Sequence, residues 1–413
     1  MSREVVVTGL GLISAAGNNT EDSWNNIVAG RSGIVTLSRF DTSEYDQAIA
    51  GEVHDFDPTE HVDPKLLRRI DLSTAFAIAA SLQAISDASI EIPAEHPDAV
   101  GIILGTGIGG AHLMIEQQRV LDEKGPRRIS PFLMSNFLPD TATGLVAIAL
   151  GARGPNFAVS AACATGGAAV GEAAEAIARG DVEVMIAGGF EAPLQPIYYA
   201  GFNAMRALAT NEDPKQALRP FDSERNGFVL GEGAGVLVLE SLEHAKARGA
   251  SIYAQWVGAA TSSDAYDMVA AAEDGRGINE AMRGALEHAG LKPEQISYIN
   301  AHGTGTPLND RVETRAIHDV FGESAKHLMV SSTKPIHGHM MGASGAIEAA
   351  ICVLACKHQI APPTINYANP DPNCDLDYVP NTARKAAIDY AMSTSVGLGG
   401  HNSALIFRQW ENR

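Results

Sequence analysis

Short apolar runs recur along the chain ahead of glycine-rich turns, and alanine-rich helical stretches lie between several of them. Residues 5–7, 100–104, 157–160, 182–187, 236–239, 296–299, 329–331 and 404–407 read as strands, and 73–86, 166–179, 277–289 and 343–356 as helices. Strands alternating with helices predict an α/β fold with buried sheets. A length of 413 residues predicts two or three domains, or two halves sharing one large core. The start, MSREVVVTGLGLIS, reads as a strand followed by a glycine turn. Residues 241–253 read as a charged surface helix ending at Gly249 before a new strand, which places the join between an N-terminal half, 1–250, and a C-terminal half, 251–413. No low-complexity linker occurs there, so the halves are expected to pack together.

A net charge of −19 disfavours nucleic acid as a partner. No apolar run reaches the 18–20 or so residues that span a bilayer, and the start lacks the marks of a signal peptide. The four cysteines, at 163, 352, 356 and 374, form neither a CxxC pair nor a zinc-spaced set, so the expected setting is soluble, reducing and cytoplasmic, without a membrane partner. Cys352 and Cys356, four apart in AAICVLAC, fit the core face of a helix.

Three segments carry chemistry. In FAVSAACATGG (157–167) a strand runs through small residues into Cys163 and an alanine-rich helix. A cysteine at such a turn sits beside unpaired amides and a helix dipole that favour its thiolate, and its own N–H is half of an oxyanion hole. In YINAHGTGTPLND (298–310) an apolar strand ends at His302, pointing it into the crevice where α/β sheets bind ligands. In SSTKPIHGHMMGASGAIE (331–348), Lys334, His337 and His339 precede a helix of small residues. His337, a polar loop residue, is expected to face solvent, whereas the glycine beside His339 allows close approach to a ligand. No further ligand completes a metal site around the two histidines. A thiolate that accepts an acyl group, two imidazoles that donate to a developing oxyanion and a lysine that orients them suit carbon–carbon bond formation between thioesters.

With these three motifs in order, and with VVVTGLG, FDSERNGFVLGEGAG (221–235) and GLGGHNSALIF (397–407) around them, the chain resembles the β-ketoacyl-acyl-carrier-protein synthases over essentially its whole length. The likeness is closest to the type II elongation class of the thiolase superfamily. The resemblance implies a thiolase fold, a five-layered α-β-α-β-α sandwich of two similar halves, normally homodimeric. It implies a decarboxylative Claisen condensation in which Cys163 carries the acyl chain and His302 and His339 stabilise the enolate from malonyl-carrier protein. Lys334 supports the histidines and is placed to pair with Glu348, the amides of Cys163 and Leu398 form the oxyanion hole, and no cofactor is required beyond the carrier's phosphopantetheine. By the same resemblance Thr304 and Thr306 bind the pantetheine arm. Lys65, Arg68, Arg69, Arg127, Arg128 and Arg206 dock the acidic acyl carrier protein, and Ile108 lines the acyl tunnel, favouring medium or long chains.

The sequence departs from the family in STSVGLGGHN (393–402), where Val396 and Leu398 replace aromatic residues, the second of them the acyl gate. A ketosynthase of a dedicated polyketide or polyene pathway is therefore an alternative to fatty acid synthesis, and pairing with a chain-length partner an alternative to the homodimer. Two further readings fit less well. A thiolase needs a second catalytic cysteine where this chain has a histidine, and a non-extending partner subunit typically lacks the nucleophile that Cys163 provides.

Overall fold

The computed structural model describes residues 2–45, 48–92, 96–211 and 213–411. The strands of its main sheet and the helices packed on them begin with β1 (Val5–Ser14), α1 (Leu72–Ala88), β2 (Val100–Gly105), α2 (Thr141–Leu150), β3 (Asn156–Val159), α3 (Thr165–Arg179), β4 (Val184–Glu191), β5 (Gly233–Ser241), β6 (Ala254–Ser263) and α4 (Arg276–Ala289). They are followed by β7 (Tyr298–Asn300), α5 (Pro307–Phe321), β8 (Met329–Ser331), α6 (Ser344–His358), β9 (Tyr390–Gly397) and β10 (His401–Gln409).

Hydrogen bonding orders these strands β8-β7-β9-β10-β6-β1-β5-β4-β2-β3. The five strands up to Ser241 and the five from Ala254 follow one plan. In each group the third, second and fourth strands are parallel, and the fifth and first continue the sheet antiparallel. The helices fall at matching places in the two groups, so the repeat that the sequence hides is explicit in the topology. The two five-stranded sheets are not separate: Val5, Val6 and Val7 pair with Trp256, Gln255 and Ala254, closing them into one ten-stranded ladder.

Helices α3 and α6 each pack on strands of both groups and on each other, so the sheet wraps around them. Outside, α1 and α2 cover the first group and α4 covers the second, with α5 beside α4. The result is the five-layered α-β-α-β-α sandwich. α6 lies at its centre, and every side chain from Ser344 to Cys356 is buried, as an apolar helix with no outward face requires. Cys352 and Cys356 sit within this core. No helix among the described residues is long and apolar enough to cross a membrane.

Two parts of the sequence reading need correction. Gly9 and Gly11 form no turn: β1 runs through them to Ser14, with a bulge between Val7 and Gly9. Their missing side chains admit α1, since a Cβ on Gly11 would lie 1.9 Å from the Ala80 carbonyl oxygen. Residues 393–402, for which the sequence reading gave no strand, are also largely strand. They are the end of β9, a turn at Leu398, Gly399 and Gly400, and the start of β10. Alternating Ser, Thr and Val lacks the apolar signature of a strand, and pairing with β7 and β10 supplies what composition does not.

Gly11→Ala should lower stability by about 3 kcal/mol, near the upper end for overpacking, because the collision is with backbone rather than a movable side chain. Urea unfolding against the parent measures it, and an unchanged midpoint would contradict the packing of α1 on β1.

Candidate active site

The catalytic candidates converge because α3 and α6 meet at their N-termini without side chains between them. A Cβ on Gly166 would lie 2.5 Å from the Ala346 nitrogen, and one on Gly345 would lie 2.6 Å from the Gly167 nitrogen. Cys163 precedes α3 by two residues, and His339 precedes α6 by five. Their side chains touch: His339 Nε2 is 3.2 Å from Cys163 Sγ. His302, at the carboxyl end of β7, completes the cluster, its ring edge-to-face with His339 at 5.3 Å between centroids.

The turn that presents Cys163 is built for the purpose. Ala162 sits at φ 48°, a left-handed conformation costly for alanine. Thr165 braces it, its hydroxyl accepting from the Ala161 N–H and donating to the Ala162 carbonyl, both at 2.7 Å. The Leu398 N–H is directed at the Cys163 sulfur. Burial pushes the thiol up to about 12, against the pull of the Lys334 charge and that amide. The expectation that the turn favours the thiolate is thus reversed in the free protein, where desolvation dominates.

Lys334 and Glu348 form an ion pair with both side chains fully buried. The ammonium also donates to the His302 carbonyl at 2.5 Å and lies 3.5 Å from His302 Nδ1. Burial pushes the Glu348 carboxyl up to about 7, with Lys334 opposing. His302 and His339 are held well below the ordinary histidine range, first by burial and then by the Lys334 charge, so both rings are neutral near pH 7. His337 is fully buried rather than solvent-facing. It bonds the Gly338 carbonyl at 2.8 Å and Thr333 Oγ1 at 3.0 Å, and burial pushes it down to about 3. It ends the short, fully buried helix Lys334–His337.

Cys163, His302 and His339 open onto a cavity of about 400 Å³. Thr304, Thr306, Val396 and Leu398 line it, Phe202, Phe228 and Met341 make its apolar wall, and Arg206 stands at its edge. The two threonine hydroxyls lie 3.0 Å apart. Ile108 is not among the lining residues; its N–H donates to Glu191 Oε1 at 3.1 Å. Lys65, Arg68, Arg69, Arg127 and Arg128 are exposed, and none makes an ion pair among the described residues. Arg69 stacks on Phe132, 4.2 Å from the ring centroid, which brings the first basic group beside the second.

Several structural partners escaped the sequence reading. Glu313 accepts from the N–H groups of His302 (2.7 Å) and Gly303 (2.8 Å) and from Thr394, fixing the histidine loop. Glu191 gathers Thr106, Gly107, Ile108 and Gly342, tying the loop after β2 to the turn before α6. Ser344 contacts His339 Nδ1, and Phe228 packs edge-on against the same ring. Single acidic, hydroxyl and aromatic residues on helices and strands carry no motif, so only the fold reveals them.

The model for Beta-ketoacyl synthase, N-terminal domain, matches residues 2–245, and that for Beta-ketoacyl synthase, C-terminal domain, matches 253–368. Two relatives named 3-oxoacyl-[acyl-carrier-protein] synthase 2 align over 410 residues, covering 99% of both chains in each case: one from Staphylococcus aureus (strain COL) at 48% identity, one from Synechocystis sp. at 49%. Among solved structures, the ishigamide ketosynthase/chain length factor superposes with a TM-score of 0.93 at 36% identity, covering all of both chains. A type II polyketide acyl-carrier protein in complex with its ketosynthase bound to the hexaketide gives 0.92 at 35%, over 99% of this chain and 100% of that one.

Alkylation of Cys163 by iodoacetamide should rise about tenfold per pH unit from pH 7 to 9, following the small thiolate fraction of a thiol titrating near 12. A plateau near neutrality would show that the helix terminus and Lys334 outweigh burial.

Proposed function

The chain belongs to the β-ketoacyl synthase family, and we propose that it is a 3-oxoacyl-acyl-carrier-protein synthase of fatty acid synthesis that extends a Cys163-bound acyl chain by two carbons. The observation that carries the reading is the meeting of Cys163 Sγ, His339 Nε2 and the Leu398 N–H beside His302 in one apolar cavity.

In the first half-reaction the Cys163 sulfur attacks the acyl thioester of the carrier, and the carrier thiol leaves with the proton. Malonyl-carrier then enters and loses its carboxylate as carbon dioxide, leaving an enolate whose oxygen takes hydrogen bonds from His302 and His339. A neutral imidazole suits this role when its proton sits on Nε2, from which it donates to the enolate oxygen. The enolate carbon attacks the Cys163 thioester, the oxyanion rests on the amides of Cys163 and Leu398, and expulsion of the Cys163 sulfur releases the 3-oxoacyl-carrier. Lys334, neutralised by Glu348, holds the His302 backbone and keeps positive charge near the developing anion. None of these steps calls for a cofactor other than the pantetheine arm, whose binding is assigned to Thr304 and Thr306 because both line the cavity.

Acyl carrier protein is the proposed partner. Lys65, Arg68, Arg69, Arg127, Arg128 and Arg206 offer exposed positive charge on a chain of net charge −19, the pattern expected of a surface that selects an acidic protein. A homodimer is proposed on the unpaired edge of β3, where Phe157 is exposed and Phe132, Met134, Leu138 and Ile148 add apolar area. A cytoplasmic location belongs to the same reading, as does division of the chain near residue 250 into a nucleophile half and a His/Lys/His half. The aliphatic Val396 and Leu398 on the cavity wall favour a second reading, a ketosynthase of a polyketide or polyene pathway, and leave pairing with a chain-length partner open.

Incubation with acyl-carrier proteins of increasing chain length, followed by mass spectrometry, should give an acyl adduct on Cys163 that Cys163→Ser abolishes, with medium or long chains preferred. No adduct from any carrier would overturn the synthase reading, and strict preference for acetyl would overturn the chain-length expectation. Arg127→Glu with Arg128→Glu should raise KM for the acyl-carrier by about tenfold or more, equivalent to roughly 1.4 kcal/mol, while leaving Cys163 alkylation unchanged. Equal KM values would remove this surface from the docking site.

A further inference from the structure

The neutral ring of His339 carries a single proton, and its position decides what the ring can do at Cys163. With the proton on Nε2 the ring donates toward the sulfur and toward any oxyanion formed there. With the proton on Nδ1 it can only accept. The immediate surroundings of Nδ1 therefore set the chemistry on the far side of the ring.

The group at Nδ1 is the hydroxyl of Ser344, 2.9 Å away. Both residues are buried, His339 at 2% exposure and Ser344 at none. Ser344 is the first residue of α6, and its Oγ already accepts the N–H of Met340 at 2.9 Å. A serine hydroxyl has one hydrogen to donate and two lone pairs to offer. If His339 Nδ1 carried the proton, both lone pairs would be taken, and the hydroxyl hydrogen would be buried without an acceptor among the described residues. If the hydroxyl donates to Nδ1, every polar group at this junction is paired. Buried polar groups are overwhelmingly paired, so the second arrangement is favoured.

We infer that Ser344 is a positioning residue that fixes His339 as the Nε2–H tautomer by donating its hydroxyl hydrogen to Nδ1, so that the ring presents a donor to Cys163 and to the enolate. The inference rests on the condensing-enzyme reading for its consequence but not for its geometry. It gives a reason for a hydroxyl at the head of α6, where the next two residues are Gly345 and Ala346. One side chain serves two ends, satisfying the Met340 N–H ahead of α6 and orienting the imidazole that precedes it. Burial keeps His339 neutral, which is the condition under which a choice of tautomer exists.

Histidine-labelled ¹⁵N protein, with the His339 signals identified by their loss in His339→Gln, reports the tautomer directly through long-range ¹⁵N–¹H correlations. In the parent, Nε2 should show the shift of a protonated ring nitrogen and Nδ1 that of an unprotonated acceptor. Ser344→Ala should move both toward the average of mixed tautomers, and Ser344→Thr, which keeps the hydroxyl, should restore the parent pattern. In steady state Ser344→Ala should lower kcat for malonyl-dependent condensation about tenfold or more with KM for malonyl-carrier within about twofold, since a mis-set tautomer removes transition-state stabilisation and not binding. A parent ring protonated on Nδ1 would overturn the inference. So would Ser344→Ala with an unchanged tautomer, which would show that the hydroxyl does not set the position of the ring proton. The nitrogen shifts are read without substrate, so they stand or fall independently of whether the protein condenses acyl chains, and a thermal melt of each variant separates a lost fold from a changed ring.

Discussion

The contact on which the rest of the structure depends is the bare meeting of α3 and α6 at Gly166 and Gly345. Two helices that each face a sheet can approach each other only where neither brings a side chain, and here the approach falls at their first turns. Two reactive side chains are attached just upstream, Cys163 ahead of one helix and His339 ahead of the other. A methyl group at the crossing would push the two segments apart by more than the hydrogen bond between Sγ and Nε2 can tolerate. The repeated strand plan explains why the two helices are equivalent in origin, and the central layer explains why they are so fully enclosed.

Enclosure sets the electrostatics. A buried ammonium with a buried carboxylate is an expensive way to stabilise a fold, because desolvation offsets most of the attraction. Lys334 and Glu348 make better sense as a fixed charge pattern. Lysine holds the His302 carbonyl and helps keep both imidazoles neutral, while Glu348 limits the net charge in the core. The same burial leaves Cys163 as a protonated thiol in the resting protein, so nucleophilicity has to arise when a thioester arrives and the sulfur's proton can depart with the carrier thiol.

Much of this was legible in the sequence, and the limits have physical causes. Long alanine-rich helices and apolar strands announce themselves by period, and α3, α4 and α6 fall within two residues of their predicted bounds. Strand β9 went unseen because its hydroxyl residues satisfy no apolar pattern, and Gly9 and Gly11 misled because glycine marks close packing as often as a turn. His337 was misplaced since polarity in a short segment says little about which way it turns. Cys163, His302, Lys334 and His339 stood out through local motifs, and the fold brings them together. Glu313 and Glu191 act across the fold, where sequence distance hides them, and Ser344, only five residues from His339, is one unmarked hydroxyl among small residues. The internal repeat lies in strand order and survives in topology alone.

The seam between β1 and β6 links the two halves through only three residue pairs, yet it constrains the order in which the protein can be made. Strand β1 leaves the ribosome long before its partners, which are β5, near residue 240, and β6, which follows residue 253. At about 5–20 residues per second the earliest strand waits roughly 12–50 s for its neighbours. Throughout that interval VVVTGLGLIS is an apolar strand with both edges open. Completion of the first sheet thus waits for residue 241 and closure of the seam for residue 256, so the pairing of β1 is a late event in synthesis.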